Sequence, residues 1–260
     1  MAADPMNEEG GGVNGARAEE ASAREARERA RDLRLAFLAI PVALAILVAA
    51  SITAEISRRA LPALLRAEPW VEPFLVHSGM ILFSCLAALA IGRGRLGRFG
   101  LRRCPPVALL RAAAVGFAIG ALAGGTGALL RLPKPAFLQS YSIAQQVLFI
   151  WVWASLAEEV LVRGLLQGMM AVWADRSIKL PALSLAWPAV AGAIFFAGMH
   201  LPLLMLGTPL GSVLAILAFA FAAGVAAGQF RHVTGSLWVA VAVHAAANMP
   251  GTLFQLVSRH

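Results

Sequence analysis

Acidic side chains almost disappear from this chain after Glu72. Beyond it only Glu158, Glu159 and Asp175 carry a carboxylate, and only the two glutamates lie in apolar sequence. Charged residues of either sign make up 14% of the chain against 59% hydrophobic, a balance that excludes an ordinary soluble globular domain. There are two cysteines, Cys85 in an apolar run and Cys104 beside Pro105, too few for a disulfide framework or a cysteine metal cluster. No long internal repeat is visible. The formal net charge is +8, yet few basic residues fall in the hydrophobic body. The excess therefore reads as membrane topology, and a nucleic-acid partner is not expected.

What is there is a series of long apolar runs. Residues 1–33 form a charged N-terminal segment, Gly-rich and then dense in Glu and Arg, expected as a disordered tail leading into a solvated helix. Residues 34–260 are expected to form one transmembrane domain. Apolar runs at about 35–54, 74–92, 106–130, 143–173, 181–200, 209–229 and 236–257 are each able to cross a hydrocarbon core of about 30 Å. The fold class is thus all-α, a polytopic transmembrane helical bundle of about seven to eight spans. The 143–173 run is too long for one straight crossing and must tilt, break near Gly164 or Gly168, or carry an interfacial extension. Gly116, Gly120, Gly124 and Gly127 give a small face for close helix packing. The arginine-rich loop at 92–103 should stay cytoplasmic, which puts the N-terminus of a multi-pass cell-membrane protein inside as well.

Three polar motifs interrupt these runs. Ala157-Glu158-Glu159 is followed by Arg163; Phe196 precedes His200; His244 precedes Asn248. Charging a side chain at bilayer depth costs several kcal/mol, roughly 3 to more than 10, so such residues need a reason. Residues four apart share a helix face, so Glu159 pairs with Arg163 while Glu158, about 100° around the helix, is left free. A carboxylate free of a cation in an apolar pocket is a usable general base, and with His200 it could activate a water. Each motif also has a plainer account. The Glu–Arg pair can be structural glue, His200 an interfacial residue, and His244 with Asn248 an interhelical hydrogen-bonding pair. His77, His232 and His260 have no partner at motif spacing, and the six tryptophans read as core or interfacial belt.

The conjunction E-E-x-x-x-R, F-x-x-x-H and H-x-x-x-N on successive helices resembles the CAAX protease and bacteriocin-processing (CPBP) family of intramembrane endopeptidases, also called the ABI family. The resemblance covers about residues 93–250. Phe99-Gly100-Leu101-Arg102-Arg103 and Thr234-Gly235-Ser236-Leu237-Trp238 also resemble family phrasing. It implies an endopeptidase cutting a peptide bond near the membrane, as in CAAX or bacteriocin processing. Glu158 and His200 would activate water, His244 and Asn248 would face the scissile carbonyl and its oxyanion, and Glu159, Arg163 and Phe196 would support them. Membrane lipids and a membrane-associated peptide or protein substrate are the partners so implied.

A metal-free glutamate mechanism is favoured, since the H-E-x-x-H helix that signals zinc is absent. The other arrangement is a zinc held by Glu158, His200 and His244 with one open position. Aspartyl and serine intramembrane types are set aside: Asp4, Asp32 and Asp175 lie in no span, and Thr234-Gly235-Ser236-Leu237 does not match a serine motif. The alternatives from another class are a catalytically idle scaffold or immunity protein, or a transporter using the same polar cluster. Two expectations follow for the structure. The four site side chains should converge on one cavity, and that cavity should open towards the cytoplasmic side or laterally to lipid.

Overall fold

The computed structural model describes residues 9–94, 96–181 and 183–257. Within them the chain is a bundle of helices with one short hairpin. Seven helical elements carry the architecture: α1 (Glu9–Ala60), α2 (Val71–Gly92), α3 (Pro106–Leu129), α4 (143–173), α5 (Trp187–Gly198), α6 (Leu210–Thr234) and α7 (Leu237–Val257). Six stretches, covering all but α4, are long and apolar enough to cross a membrane. With α4, the expected set of seven apolar helical runs is complete. α1 passes through residue 33 without a break, carrying the charged stretch straight into the first span. Residues 1–8, the start of the expected disordered tail, lie outside the described residues.

The long 143–173 run is continuous helix, but not uniform helix. Its α-helical turns alternate with wider π turns at Gln146–Ala154 and Val160–Leu166, and it tightens into a 3₁₀ turn at Met170–Trp173. Glu158 and Glu159 lie in the α-helical turn Ser155–Glu159 between the two π segments. Such widenings inside helices gather at functional sites because they shift which side chains face a neighbour.

The expected span at 181–200 is corrected. Ser177–Leu180 (β1) and Leu183–Ala186 (β2) pair as an antiparallel hairpin, Ile178 opposite Leu185 and Lys179 opposite Ser184. The helix begins only at Trp187, where Pro188 occupies the first turn, a place that needs no amide donor. Its apolar count was inflated by the leucines of an exposed strand.

Small residues set the closest helix approaches. A Cβ at Gly116 would overlap the Val243 carbonyl and one at Gly120 the Ala247 carbonyl, so α3 and α7 touch backbone to backbone. Gly124 meets the Phe254 ring, whereas Gly127 faces open space and takes no part in the packing. Gly228 and Gly224 press similarly on Ala189 and Ala193, joining α6 to α5. α1 lies on α2 through the fully buried Ala39, Ala43 and Ala50.

The arginine loop closes one end of this bundle. Phe99 is buried, and a Cβ at Gly92 or Gly168 would stand 2.8 Å from its ring. Arg98 donates from Nε to the Gly168 carbonyl (3.0 Å) and from Nη1 to Asp32 (2.6 Å). The Arg98 carbonyl accepts from Arg231 (2.7 Å), the Arg102 carbonyl from the Ser236 hydroxyl (2.8 Å), and the Gly100 carbonyl from the Leu237 amide (2.8 Å). One loop thereby ties the middle of α1 to the ends of α4, α6 and α7.

Candidate active site

α4 supplies the carboxylates. Glu159 and Arg163, one turn apart, are each 1% exposed and joined at 2.8 Å, the pairing that the four-residue spacing requires. Arg163 also donates to the Gly224 carbonyl of α6 (2.9 Å), and its guanidinium lies 4.6 Å over the Phe196 ring. The same Glu159 Oε1 sits 2.9 Å from His244 Nδ1 on α7. An oxygen already accepting from an arginine can face that nitrogen favourably only if the nitrogen carries a proton. His244 therefore donates Nδ1–H to Glu159 and turns Nε2 towards Glu158, whose Oε2 is 3.8 Å away. Glu159 thus fixes both a cation and the tautomer of a histidine.

Glu158 is not left free, as spacing along α4 suggested. His77 Nε2 on α2 lies 3.1 Å from Glu158 Oε1, and His77 Nδ1 donates to the Pro73 carbonyl at 2.6 Å. The Phe149 ring meets the imidazole edge to face at 5.2 Å. His77 is thus a neighbour of the site that sequence reasoning missed. Its partner is 81 residues away and appears only when α2 packs on α4. The one available signal was an imidazole within a largely apolar span, two turns from its start, which membrane burial alone does not favour.

His200 follows the end of α5, with Nδ1 3.0 Å from the Phe196 carbonyl. The Phe196 ring stands between two imidazoles, edge to face with His200 at 5.2 Å and with His244 at 5.1 Å. Asn248 donates its amide to the Ile150 carbonyl (3.2 Å) and to Ser155 Oγ (3.1 Å), both on α4. Ser155 itself donates to Ile150 O at 3.1 Å, so a flipped Asn248 would set oxygen against oxygen, and only this orientation fits.

Phe196, His200, His244 and Asn248 line one cavity of about 680 Å³ between α3, α6 and α7. Glu158 stands behind His244 rather than in the cavity wall, with 15% of its side chain exposed. Among the described residues Glu158 and His200 form no direct hydrogen bond or ion pair. Among the described residues no group of three His, Cys, Asp or Glu side chains is gathered as a metal cluster.

The cavity lies towards the end of the bundle remote from the arginine loop. Its walls come from the halves of α3, α6 and α7 remote from the arginine loop, and Arg131, Pro133 and Lys134 stand at its rim. At the arginine-loop end the bundle is packed by Phe99 and the loop's hydrogen bonds.

Residues 140–250, from the start of α4 to the middle of α7, match the family model described as "Type II CAAX prenyl endopeptidase Rce1-like". This is the family the three motifs resemble, and all three motifs lie inside the matched stretch. Neither the curated proteins nor the solved structures contain a match.

Proposed function

We propose that this Rce1-like region is an active intramembrane endopeptidase that hydrolyses a peptide bond with a water activated by Glu158, beside the cavity that His200 and His244 share. The observation carrying the proposal is the common cavity of His200, His244 and Asn248 with Glu158 directly behind His244. The 3.8 Å between Glu158 Oε2 and His244 Nε2 is too long for a hydrogen bond and suits a bridging water. In the reaction an O–H bond of that water breaks as its oxygen bonds to the scissile carbonyl carbon, and the proton passes to Glu158. His244 Nε2, which carries no proton while Nδ1–H is held by Glu159, accepts a hydrogen bond from that water and orients it. As the C–N bond breaks, Glu158 returns the proton to the leaving nitrogen, giving a carboxylic acid and an amine that exchange a proton to carboxylate and ammonium. No step needs a metal.

The arginine-loop face and the N-terminus would lie in the cytoplasm of the cell membrane by the charge rule. The substrate would be a peptide or protein held at the membrane. A farnesylated CAAX peptide with a quenched fluorophore, presented to the reconstituted protein, tests this. Glu158→Gln should lower turnover by about 10²–10⁴, the usual worth of a positioned base. A second reading is favoured by one observation: both amide hydrogens of Asn248 are taken up by α4, so none is left for an oxyanion. That reading is an idle scaffold, and equal silence of wild type and Glu158→Gln towards peptides of this class would establish it over the protease.

A further inference from the structure

A second cavity, of about 870 Å³, lies at the closed end of the bundle, between the start of α1 and the arginine loop. α1 contributes Arg24, Arg27 and Arg31 to its wall, and the C-terminus of α2 and the following loop contribute Arg93, Arg98 and Arg102. Glu28 and Asp32 are the only carboxylates in that wall. Asp32 is taken by Arg98 at 2.6 Å, and Glu28 faces Arg24 at 3.5 Å. Among the described residues no carboxylate pairs with Arg27, Arg31, Arg93 or Arg102. We infer that this cleft binds a phosphate-bearing anion, presented by the headgroup of an acidic lipid.

Membrane topology alone does not account for it. The positive-inside rule asks for basic residues on one side, not for guanidiniums from three segments around one concavity, where like charges repel until an anion enters. The guanidinium fork matches phosphate oxygens two at a time. Height then selects the source of the phosphate. Arg31 precedes the apolar run at Leu35 by four residues, about 6 Å along a helix. The headgroup layer of a leaflet is about 5–7 Å deep, and Gly92, in the cleft wall, is the last residue of the apolar helix α2. The cleft floor is thus level with lipid phosphates, at the surface where acidic lipids attract basic segments. Its wall includes Arg98, which clamps α4 through Gly168, so an occupant steadies the helix that carries Glu158 and Glu159. None of this depends on the protease reading.

The test uses the full chain in neutral detergent, following thermal unfolding during titration with dioctanoyl phosphatidylglycerol, dioctanoyl phosphatidylcholine or inorganic pyrophosphate. Phosphatidylglycerol should raise the unfolding temperature saturably and phosphatidylcholine should not. The variant Arg27→Gln/Arg93→Gln/Arg102→Gln should need about a hundredfold more of the acidic lipid, at roughly fivefold per arginine near a charged surface. Removing the same charge at the opposite end, in Arg58→Gln/Arg59→Gln/Arg66→Gln, should leave the response unchanged and shows that charge loss alone is not the cause. Should the loop variant unfold during purification, Arg27→Gln alone, on an exposed helix face, should still weaken the response about fivefold. An equal response from both lipids, or from wild type and loop variant, overturns the site. Protection by pyrophosphate without phosphatidylglycerol overturns the lipid as its ligand.

Discussion

Replacing Arg163 by methionine keeps the length of an apolar side chain and removes one charge from the interior. The Glu159 carboxylate, 1% exposed, would then keep only His244 Nδ1 as partner, and its Oε2 already has none among the described residues. Breaking a buried pair from one side costs about 3–5 kcal/mol, because the remaining charge stays desolvated. At about 2–4 °C per kcal/mol for a chain of this size, the unfolding midpoint should fall by roughly 6–20 °C. Intrinsic tryptophan fluorescence in detergent reads it, since the chain has six tryptophans. The double variant Glu159→Gln/Arg163→Met removes the stranded charge and should recover part of the loss, with a coupling of about 1–3 kcal/mol across the cycle. If Arg163→Met melts within about 2 °C of wild type, or the double variant is no more stable than the single one, the cost does not come from an unpaired carboxylate and the argument is wrong.

The other predictions concern positioning and packing. His77→Ala should lower kcat by about a hundredfold with KM little changed, because Glu158 Oε1 loses the contact that fixes its carboxylate, and small misplacements of a reacting group cost that much. His77→Gln, which can still donate to Glu158, should recover part of kcat, whereas loss of KM and folding together would mark His77 as merely structural. Gly120→Ala should destabilise the protein by about 1–3 kcal/mol, since its Cβ falls on the Ala247 carbonyl between His244 and Asn248. Gly127→Ala, with nothing within 4 Å, should be neutral in the same thermal assay.

Interactions within one helical turn were legible in the sequence, and those across the bundle were legible only in part. The Glu159–Arg163 pair follows from the four-residue period of a helix, and it forms at 2.8 Å. Apolar run length located the helices, because crossing a membrane leaves few other solutions for the backbone. It failed at 181–186, where Leu183 and Leu185 alternate with Ser184 and Ala186, a period of two that belongs to a strand. The widened turns on either side of Glu158 carry no marker in composition. His77 escaped notice because its contact is set by the rotation of α2 against α4, which no local period encodes. The repeated glycines announced close packing, yet which of them serve depends on the partner: Gly116 and Gly120 meet backbone, while Gly127 meets nothing.

The two ends of the bundle are built for different purposes, and the difference bears on where a substrate would be cut. At the arginine end, Phe99 and the carbonyls of Arg98, Gly100 and Arg102 are packed or hydrogen-bonded against α4, α6 and α7. His244 lies seven residues into α7 from that end, about 10 Å deep, and the cavity continues outward past Asn248 and Gly251 to Phe254. From His244 to Phe254 the helix rises about 15 Å. An extended peptide covers about 3.3–3.6 Å per residue, so roughly four to five residues span the distance from the rim to His244. On the proposed reading the enzyme therefore cuts a short distance from whatever is held at the rim. On that reading the apolar walls, with Phe219 and Phe254 facing the space, favour side chains or an attached lipid over a charged segment, while Arg131 at the rim supplies positive charge that an anionic end would meet.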